Sequence, residues 1–188
     1  MSEQFPALTQ AHRDFIARQH MFFTGSAAAE GRVNVSPKGL GGFRVLGDNQ
    51  VCYLDLTGSG NEAAAHSLAD GRLTIMFCAF EGPPLIMRLY GKSRIARRSG
   101  EDYARLLADH FAGEEPPGAR HIVILDIELV QTSCGYGVPN YEYKRERPAL
   151  INWAEHAGEE GLDAYRRAKN IRSIDGFPTG MFEDEGAG

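Results

Sequence analysis

Alternating apolar and polar residues dominate residues 31–57, and this pattern predicts two β-strands joined by a glycine-rich connection. Successive side chains of a strand point to opposite faces, so Val33 and Val35 share the apolar face of the first strand. The other face is polar and ends in a cation, with Asn34, Ser36 and Lys38 in order. The first strand is therefore expected to present one hydrogen-bonding face.

The second strand of this stretch alternates in the same way. Its apolar positions are Cys52, Leu54 and Leu56, and its polar positions are Tyr53, Asp55 and Thr57. If the two strands pair in register, six hydrogen-bonding groups line one surface. The polar face of an antiparallel sheet is commonly solvated, so alternation alone leaves a solvated face and a ligand-binding face as equal alternatives.

A short helix predicted directly after the second strand favours the ligand-binding alternative. Ser59 and Glu62 have the spacing of a capping box, and Gly71 stands about three turns later, where a left-handed residue ends a helix. A helix N-terminus has unpaired N–H groups and roughly half a positive charge, so small residues there can hold a phosphate. Lys38 could supply a full charge to the same site.

The rest of the chain predicts further elements around this stretch. Helices are expected over residues 8–20, 100–111 and 162–169, and another begins after Pro148; Thr9 and Ser99 are the predicted N-caps of the first two. Strands are expected over residues 21–28, 73–80, 85–96 and 121–129. We interpret His12 and His20 as surface residues rather than ligands.

Composition narrows the possible partners and compartment. A net charge of −5 and a pI near 5.7 argue against nucleic acid as a partner. Apolar runs stay well short of the roughly 18 residues of a membrane span, and the first ten residues lack signal-peptide features. We therefore expect a cytoplasmic protein with no membrane partner. The cysteines, Cys52, Cys78 and Cys134, form no CxxC pair, which favours reduced thiols over a zinc site, with Cys134 buried.

Four motifs in this order resemble the pyridoxamine 5'-phosphate oxidase-like family of FMN-binding split barrels. They are GRVNVSPKG, YLDLTGSGNE, RLTIMFCAFEGPP and LIMRLYGKSRI, and the likeness covers residues 22–129. The resemblance implies a mainly β fold with flanking helices, built as a six-stranded antiparallel split β-barrel. It also implies a homodimer with FMN at the subunit interface. Residues 1–132 would form the barrel with its N-terminal helix, and residues 133–188 a loop and helices packed on the same domain.

The same resemblance implies which residues bind FMN. Lys38 would contact the phosphate, Asn34 and Ser36 would follow the flavin edge, and the backbone of residues 57–62 would lie along the ring and ribityl chain. The strand pattern, and not the resemblance, adds Arg88, which shares a face with Tyr90; it would contact a flavin phosphate or a substrate carboxylate, or else serve as an exposed edge-strand charge that resists aggregation. The full predicted set is Asn34, Val35, Ser36, Lys38, Thr57, Gly58, Ser59, Gly60, Asn61, Glu62 and Arg88.

Two features of the vitamin B6 oxidases are missing from the sequence. Their Arg-Lys pair at the helix start is replaced by residues 61–64, NEAA, and their Arg-x-His-Asp-Arg motif does not occur. Glu62 would repel a phosphate unless its carboxylate turns back to cap the helix. We therefore expect an FMN-dependent oxidoreductase with a small-molecule substrate other than a B6 vitamer. The alternative is a non-catalytic protein that binds a flavin, a deazaflavin or haem.

A basic face is also predicted near the C-terminus. It consists of Arg166, Arg167, Lys169 and Arg172, within two helical turns. We expect this face to meet an acidic surface of a partner chain.

Overall fold

The computed structural model describes residues 2–182 of the 188-residue chain. Its strands are β1 (Glu3–Phe5), β2 (Phe22–Ser26), β3 (Asn34–Lys38), β4 (Phe43–Val45), β5 (Gln50–Leu56), β6 (Arg72–Cys78), β7 (Ile86–Arg97) and β8 (Ala119–Ser133). Its helices are α1 (Gln10–Ala17), α2 (Glu62–Ala69), α3 (Glu101–His110) and α4 (Ala149–Lys169). Within residues 2–182, no helix combines the length and the apolar character needed to cross a lipid bilayer.

All strands join one antiparallel sheet that curls into a half-barrel. The order is β3-β2-β6-β7-β8-β5-β4, and β1 pairs with the far end of β8. This arrangement confirms the predicted mainly β fold with flanking helices. Two strands of three residues each, β1 and β4, add to the six that were expected.

The strands at residues 34–38 and 50–56 do not pair with each other, so the in-register pairing considered for them does not occur. β3 pairs with β2, from Phe22 opposite Lys38 to Ser26 opposite Asn34. β5 lies between β4 and β8, at the other end of the sheet order. β4 is the edge strand beside β5, so no hydrogen-bonded ladder joins β3 to β5. The polar faces of these two strands instead approach each other across the open side of the half-barrel.

Hydrophobic residues form a core on each side of the β5–β8 ladder. Val123 and Leu125 of β8 point into the half-barrel, where they pack with Phe77. Ile122 and Ile124 point the opposite way, into a second cluster under α3. All four β8 side chains are fully buried, and each such burial stabilises the fold by about 1.5–3 kcal/mol. The two-sided burial of β8 explains why its sequence is a continuous apolar run.

α1 begins as predicted, but with an unexpected capping partner. Thr9 is the N-cap, and its hydroxyl accepts from the N–H of His12 at 3.3 Å. The backbone N–H of Thr9 donates in return to Nδ1 of His12 at 3.1 Å. His12 is therefore buried, and its interpretation as a surface residue is wrong, because its imidazole fills the role that Glu or Gln has in a capping box. His20 is exposed, as predicted, and stacks on Tyr143.

Of three other local predictions, one is confirmed and two are wrong. α4 contains a break at Gly158, with φ of 63° and ψ of 174°, so two helical segments follow Pro148 as predicted. The N-cap of α3 is Gly100 and not Ser99. Cys134 is exposed and not buried, because the chain leaves the sheet directly after β8, whereas Cys52 and Cys78 are buried.

A bulge between β7 and β8 depends on Gly91. The register shifts between Tyr90 and Gly91, and a Cβ atom at Gly91 would lie 1.9 Å from the carbonyl oxygen of Asp126. We predict that Gly91→Ala lowers the free energy of unfolding by on the order of 2 kcal/mol, since the strands must separate to admit the methyl group. Urea denaturation measures this loss.

Gly47→Ala is the matched control for that substitution. No atom lies within 4 Å of the Cβ position at Gly47, so its free energy of unfolding should change by no more than about 0.5 kcal/mol. Equal losses for the two variants would show that the bulge does not need glycine.

Candidate functional site

A cavity of about 770 Å³ lies where the polar faces of β3 and β5 approach the start of α2. The turn at residues 58–60 forms one wall, and the end of α4 with residues 172–174 forms another. This volume falls within the range of roughly 300–1,000 Å³ that is usual for small-molecule sites. The cavity is therefore large enough for a cofactor or a substrate.

Seven of the eleven residues predicted to bind a cofactor line this cavity. They are Asn34, Ser36, Lys38, Gly58, Ser59, Gly60 and Glu62. The alternation of β3 is the reason that its three polar residues arrive together, since they share the face turned toward β5. The prediction that these polar groups share one surface with the turn before α2 thus agrees with the geometry.

The other four predicted residues do not line the cavity. Val35 points to the opposite face of β3 and is 66% exposed. Thr57 is buried behind the turn, where its hydroxyl donates to the carbonyl of Gly118 at 2.9 Å. Asn61 is buried and donates to the carbonyl of Asn170 at 3.3 Å. Arg88 lies on β7, beside Ser133.

A buried carboxylate flanked by two cations forms the floor of the cavity. Oδ1 of Asp55 accepts from Nζ of Lys38 at 2.5 Å. Oδ2 of Asp55 accepts from Nη2 and Nε of Arg120, at 2.7 and 3.0 Å. The Asp55 and Arg120 side chains are only 2% and 3% exposed. Lys38 is the most accessible member of this cluster, with 23% of its side chain exposed.

The protonation states of this cluster follow from its contacts. Burial raises the pKa of Asp55, but the charges of Arg120 and Lys38 outweigh burial and hold that pKa well below its usual value. Burial lowers the pKa of His121, whose Nε2 lies 3.2 Å from Oδ2 of Asp55 without the alignment of a hydrogen bond. With His121 neutral, two cations and one carboxylate leave a net charge of +1 beside the cavity.

A β-bulge directs Arg120 to this place. Asp55 stands opposite His121 and Leu56 opposite Ala119, so Arg120 is the extra residue of β8 at the register shift. Bulges turn a side chain away from its regular direction in a sheet, and here the guanidinium group reaches Asp55 and also the carbonyl of Gly60 at 2.8 Å. The same cation therefore holds both β5 and the turn before α2.

Asn170 fixes the C-terminal segment to this turn. Its side chain donates to the carbonyl of Gly58 at 3.0 Å and accepts from Arg120 at 3.0 Å. Its carbonyl accepts from Thr179 at 2.6 Å, and the residue is completely buried. The walls of the cavity are thus connected through one amide side chain.

The capping box predicted for α2 is wrong. The N-cap is Asn61, which makes no side-chain capping bond, whereas the carboxylate of Glu62 accepts from the backbone N–H of Ile174 at 3.0 Å. The helix ends as predicted, with Gly71 at φ of 79°. Within residues 2–182, the backbone N–H groups of Gly58, Ser59 and Gly60 have no hydrogen-bond acceptor. Three donors therefore remain for a ligand.

Several charged residues of the site were not assigned to it from the sequence. Arg120, Lys169 and Arg172 line the cavity, together with Asp55. The signal for Arg120 was a cation at the start of an otherwise apolar strand. The basic face was expected to meet a partner chain, but Arg166 is buried against its own chain, where it donates to Thr57 and to the carbonyl of Ala119, both at 2.9 Å.

The curled antiparallel sheet with a polar cavity beside it places this protein in the class of split-barrel proteins. The family model of pyridoxamine 5'-phosphate oxidase matches residues 8–134. The chain belongs to this family, which confirms the resemblance seen in its motifs.

Individual relatives agree with this membership. The chain is 38% identical over 190 residues to the pyridoxamine 5'-phosphate oxidase family protein ustO of Aspergillus flavus, covering 93% of this chain and 76% of that protein. HupZ of group A Streptococcus matches with a TM-score of 0.52 at 24% identity, over 65% of this chain and 91% of its own. A candidate pyridoxamine 5'-phosphate oxidase from Lactobacillus delbrueckii also gives a TM-score of 0.52, at 20% identity over 67% and 94%. Both solved structures support the fold.

The buried charge of Asp55 predicts a pH-dependent contribution to stability. Its folded pKa is depressed, so its contribution is complete above the unfolded pKa of about 4 and is lost as the pH falls toward the folded pKa. We predict that Asp55→Asn lowers the free energy of unfolding at neutral pH by about 3–5 kcal/mol, because the buried Arg120 and the partly buried Lys38 lose their partner charge. The difference from the native protein should shrink below about pH 4.

Urea denaturation of both proteins over a series of pH values measures this difference. The control is Asp126→Asn, which neutralises an exposed carboxylate of β8 and should change stability by no more than about 0.5 kcal/mol. If the difference in the free energy of unfolding between the native and Asp55→Asn proteins stays constant down to acid pH, the depressed pKa of Asp55 is contradicted.

Proposed function

We propose that the protein binds FMN in this cavity and acts as an FMN-dependent oxidoreductase on a small molecule other than a B6 vitamer. One observation carries the proposal: a buried charge cluster of net +1 lies beside a turn with three unpaired N–H groups, and both line the same cavity. A phosphate needs this combination of a cation and backbone donors.

The residues present fit the parts of an FMN molecule. Lys38 is partly exposed at the cavity, and its ammonium group has donors beyond the one directed at Asp55, so it can also bind a phosphate. Asn34 and Ser36 provide amide and hydroxyl groups along one wall, for the polar edge of the ring. The unpaired N–H groups of the turn at residues 58–60 would bind the ribityl phosphate.

Bound FMN would supply the hydride or electron transfer, so the protein needs to bind and orient rather than to provide a nucleophile. The carboxylates that line the cavity are both engaged: Asp55 by two cations and Glu62 by the N–H of Ile174. Neither is available as a general base. The chain therefore contributes electrostatics and position.

The missing Arg-x-His-Asp-Arg motif supports a substrate other than a B6 vitamer, and the start of α2 supports altered contacts to the cofactor. Residues 61–64 carry no cation; Asn61 is buried against the C-terminal segment, and Ala63 and Ala64 are buried in the fold. The phosphate of FMN would therefore need cations from other parts of the chain.

The engaged carboxylates also favour a second candidate function. A protein that holds a flavin without turnover needs no proton donor or acceptor in its cavity. The two candidates share the binding site and differ in what happens to the bound flavin.

We predict that FMN stabilises the native protein against heat. At one hundred times its Kd, a ligand raises the free energy of unfolding by about 2.7 kcal/mol, which gives a clear increase in Tm. Thermal denaturation with and without FMN measures the effect, and the absorption spectrum of the purified protein reports any flavin retained. Protein that is colourless and whose Tm does not respond to excess FMN would contradict both candidates.

We predict that Lys38→Ala weakens FMN binding by roughly tenfold or more, because a charge-assisted hydrogen bond contributes about 1.5–3 kcal/mol. Fluorescence titration measures the Kd. Lys92→Ala is the control, since Lys92 is an exposed lysine paired with Asp70 outside the cavity, and its removal should leave the Kd unchanged. An unchanged Kd for Lys38→Ala would remove this lysine from the site.

Turnover separates the two candidates. If the protein is an oxidoreductase, NADH or NADPH, or a reduced substrate, should reduce the bound flavin, and a second substrate should reoxidise it repeatedly. Stopped-flow absorbance in the flavin bands follows the cycle. A flavin that stays oxidised with every donor supports the non-catalytic candidate.

A further inference from the structure

Two cations from the C-terminal part of the chain line the same cavity as Lys38 and Arg120. Lys169 is the last residue of α4, and Arg172 follows three residues later. Both belong to the wall that the end of α4 forms with residues 172–174. Four cations and two carboxylates, Asp55 and Glu62, therefore surround this space.

The two pairs of cations differ in their partners. Lys38 and Arg120 share the carboxylate of Asp55. Arg172 donates to the carbonyl of Gly176 at 2.9 Å, which is a neutral acceptor. Among residues 2–182, neither Lys169 nor Arg172 forms an ion pair with a carboxylate, so their charges are not neutralised within the described chain. An anion in the cavity would supply the missing partner.

Asn170 gives this C-terminal pair a defined position. It lies between the two cations in sequence, is fully buried, and is bonded to Gly58 and to Arg120. The cations are therefore attached to the turn whose N–H groups are unpaired. The contact of the Glu62 carboxylate with the N–H of Ile174 adds a second attachment.

We propose that Lys169 and Arg172 bind the phosphate group of FMN, together with Lys38 and the turn at residues 58–60. This inference rests on the proposed function. It identifies Lys169 and Arg172 as the cations that take the place of those missing from the start of α2. The end of α4 thus supplies, within the same chain, the positive charge that the first turn of α2 does not carry.

The test compares FMN with riboflavin, which has the same ring and ribityl chain but no phosphate. Lys169→Ala and Arg172→Ala should each raise the Kd for FMN by roughly tenfold, because each removes a charge-assisted bond to phosphate. The Kd for riboflavin should change by less than about twofold. Fluorescence titration of the native protein and the two alanine variants with both ligands gives four ratios of variant Kd to native Kd, two for each ligand.

Two further variants make the result specific. Arg167→Ala removes the same charge from the same helix at a side chain that pairs with Asp163 outside the cavity, and it should leave both Kd values unchanged. Lys169→Arg keeps the charge and should retain most of the FMN affinity.

The outcomes distinguish this inference from the proposed function. If the native protein binds neither flavin, the proposed function fails and the inference fails with it. If the native protein binds FMN but the alanine variants bind it equally well, the inference alone is overturned. Equal weakening of FMN and riboflavin would also overturn it, since the residues would then shape the cavity without contacting the phosphate.

Discussion

The buried ion cluster around Asp55 is the constraint on which the rest of the structure depends. Removing a carboxylate from water costs several kcal/mol, and this cost is offset only while Lys38 and Arg120 remain within hydrogen-bond distance. Lys38 comes from β3, at one end of the sheet order, whereas Asp55 and Arg120 come from the paired strands β5 and β8 near the other end. The curvature of the half-barrel and the charge of its cavity are therefore maintained by the same contacts.

This cluster also connects the barrel to the C-terminal segment. Arg120 bonds to Asp55 with one part of its guanidinium group and to Gly60 and Asn170 with another. Such planar, multidentate binding is a property of arginine that lysine does not share. A single buried side chain thus sets the position of β5, the turn before α2 and the end of α4, which together form most of the cavity.

The sequence predicted what depends on nearby residues and missed what depends on distant ones. Periodicity located β6 within two residues at each end, and the alternation of β3 gave the polar wall of the cavity. Alternation could not decide whether β3 pairs with β5, because pairing is a property of two strands, and the structure pairs β3 with β2 instead. Arg120 was missed because its direction comes from a bulge in the β5–β8 register. Asn170 was missed because its partner Gly58 is 112 residues away.

The long distance between Gly58 and Asn170 has a consequence for biosynthesis. While residues 170–174 are still inside the ribosome, the nascent chain can already form the sheet, but Arg120 and the carbonyl of Gly58 lack their partner. The cavity is then open on the side of α4. A ligand would therefore meet the complete walls of this cavity only after residues 170–174 have emerged and docked against the turn at residues 58–60.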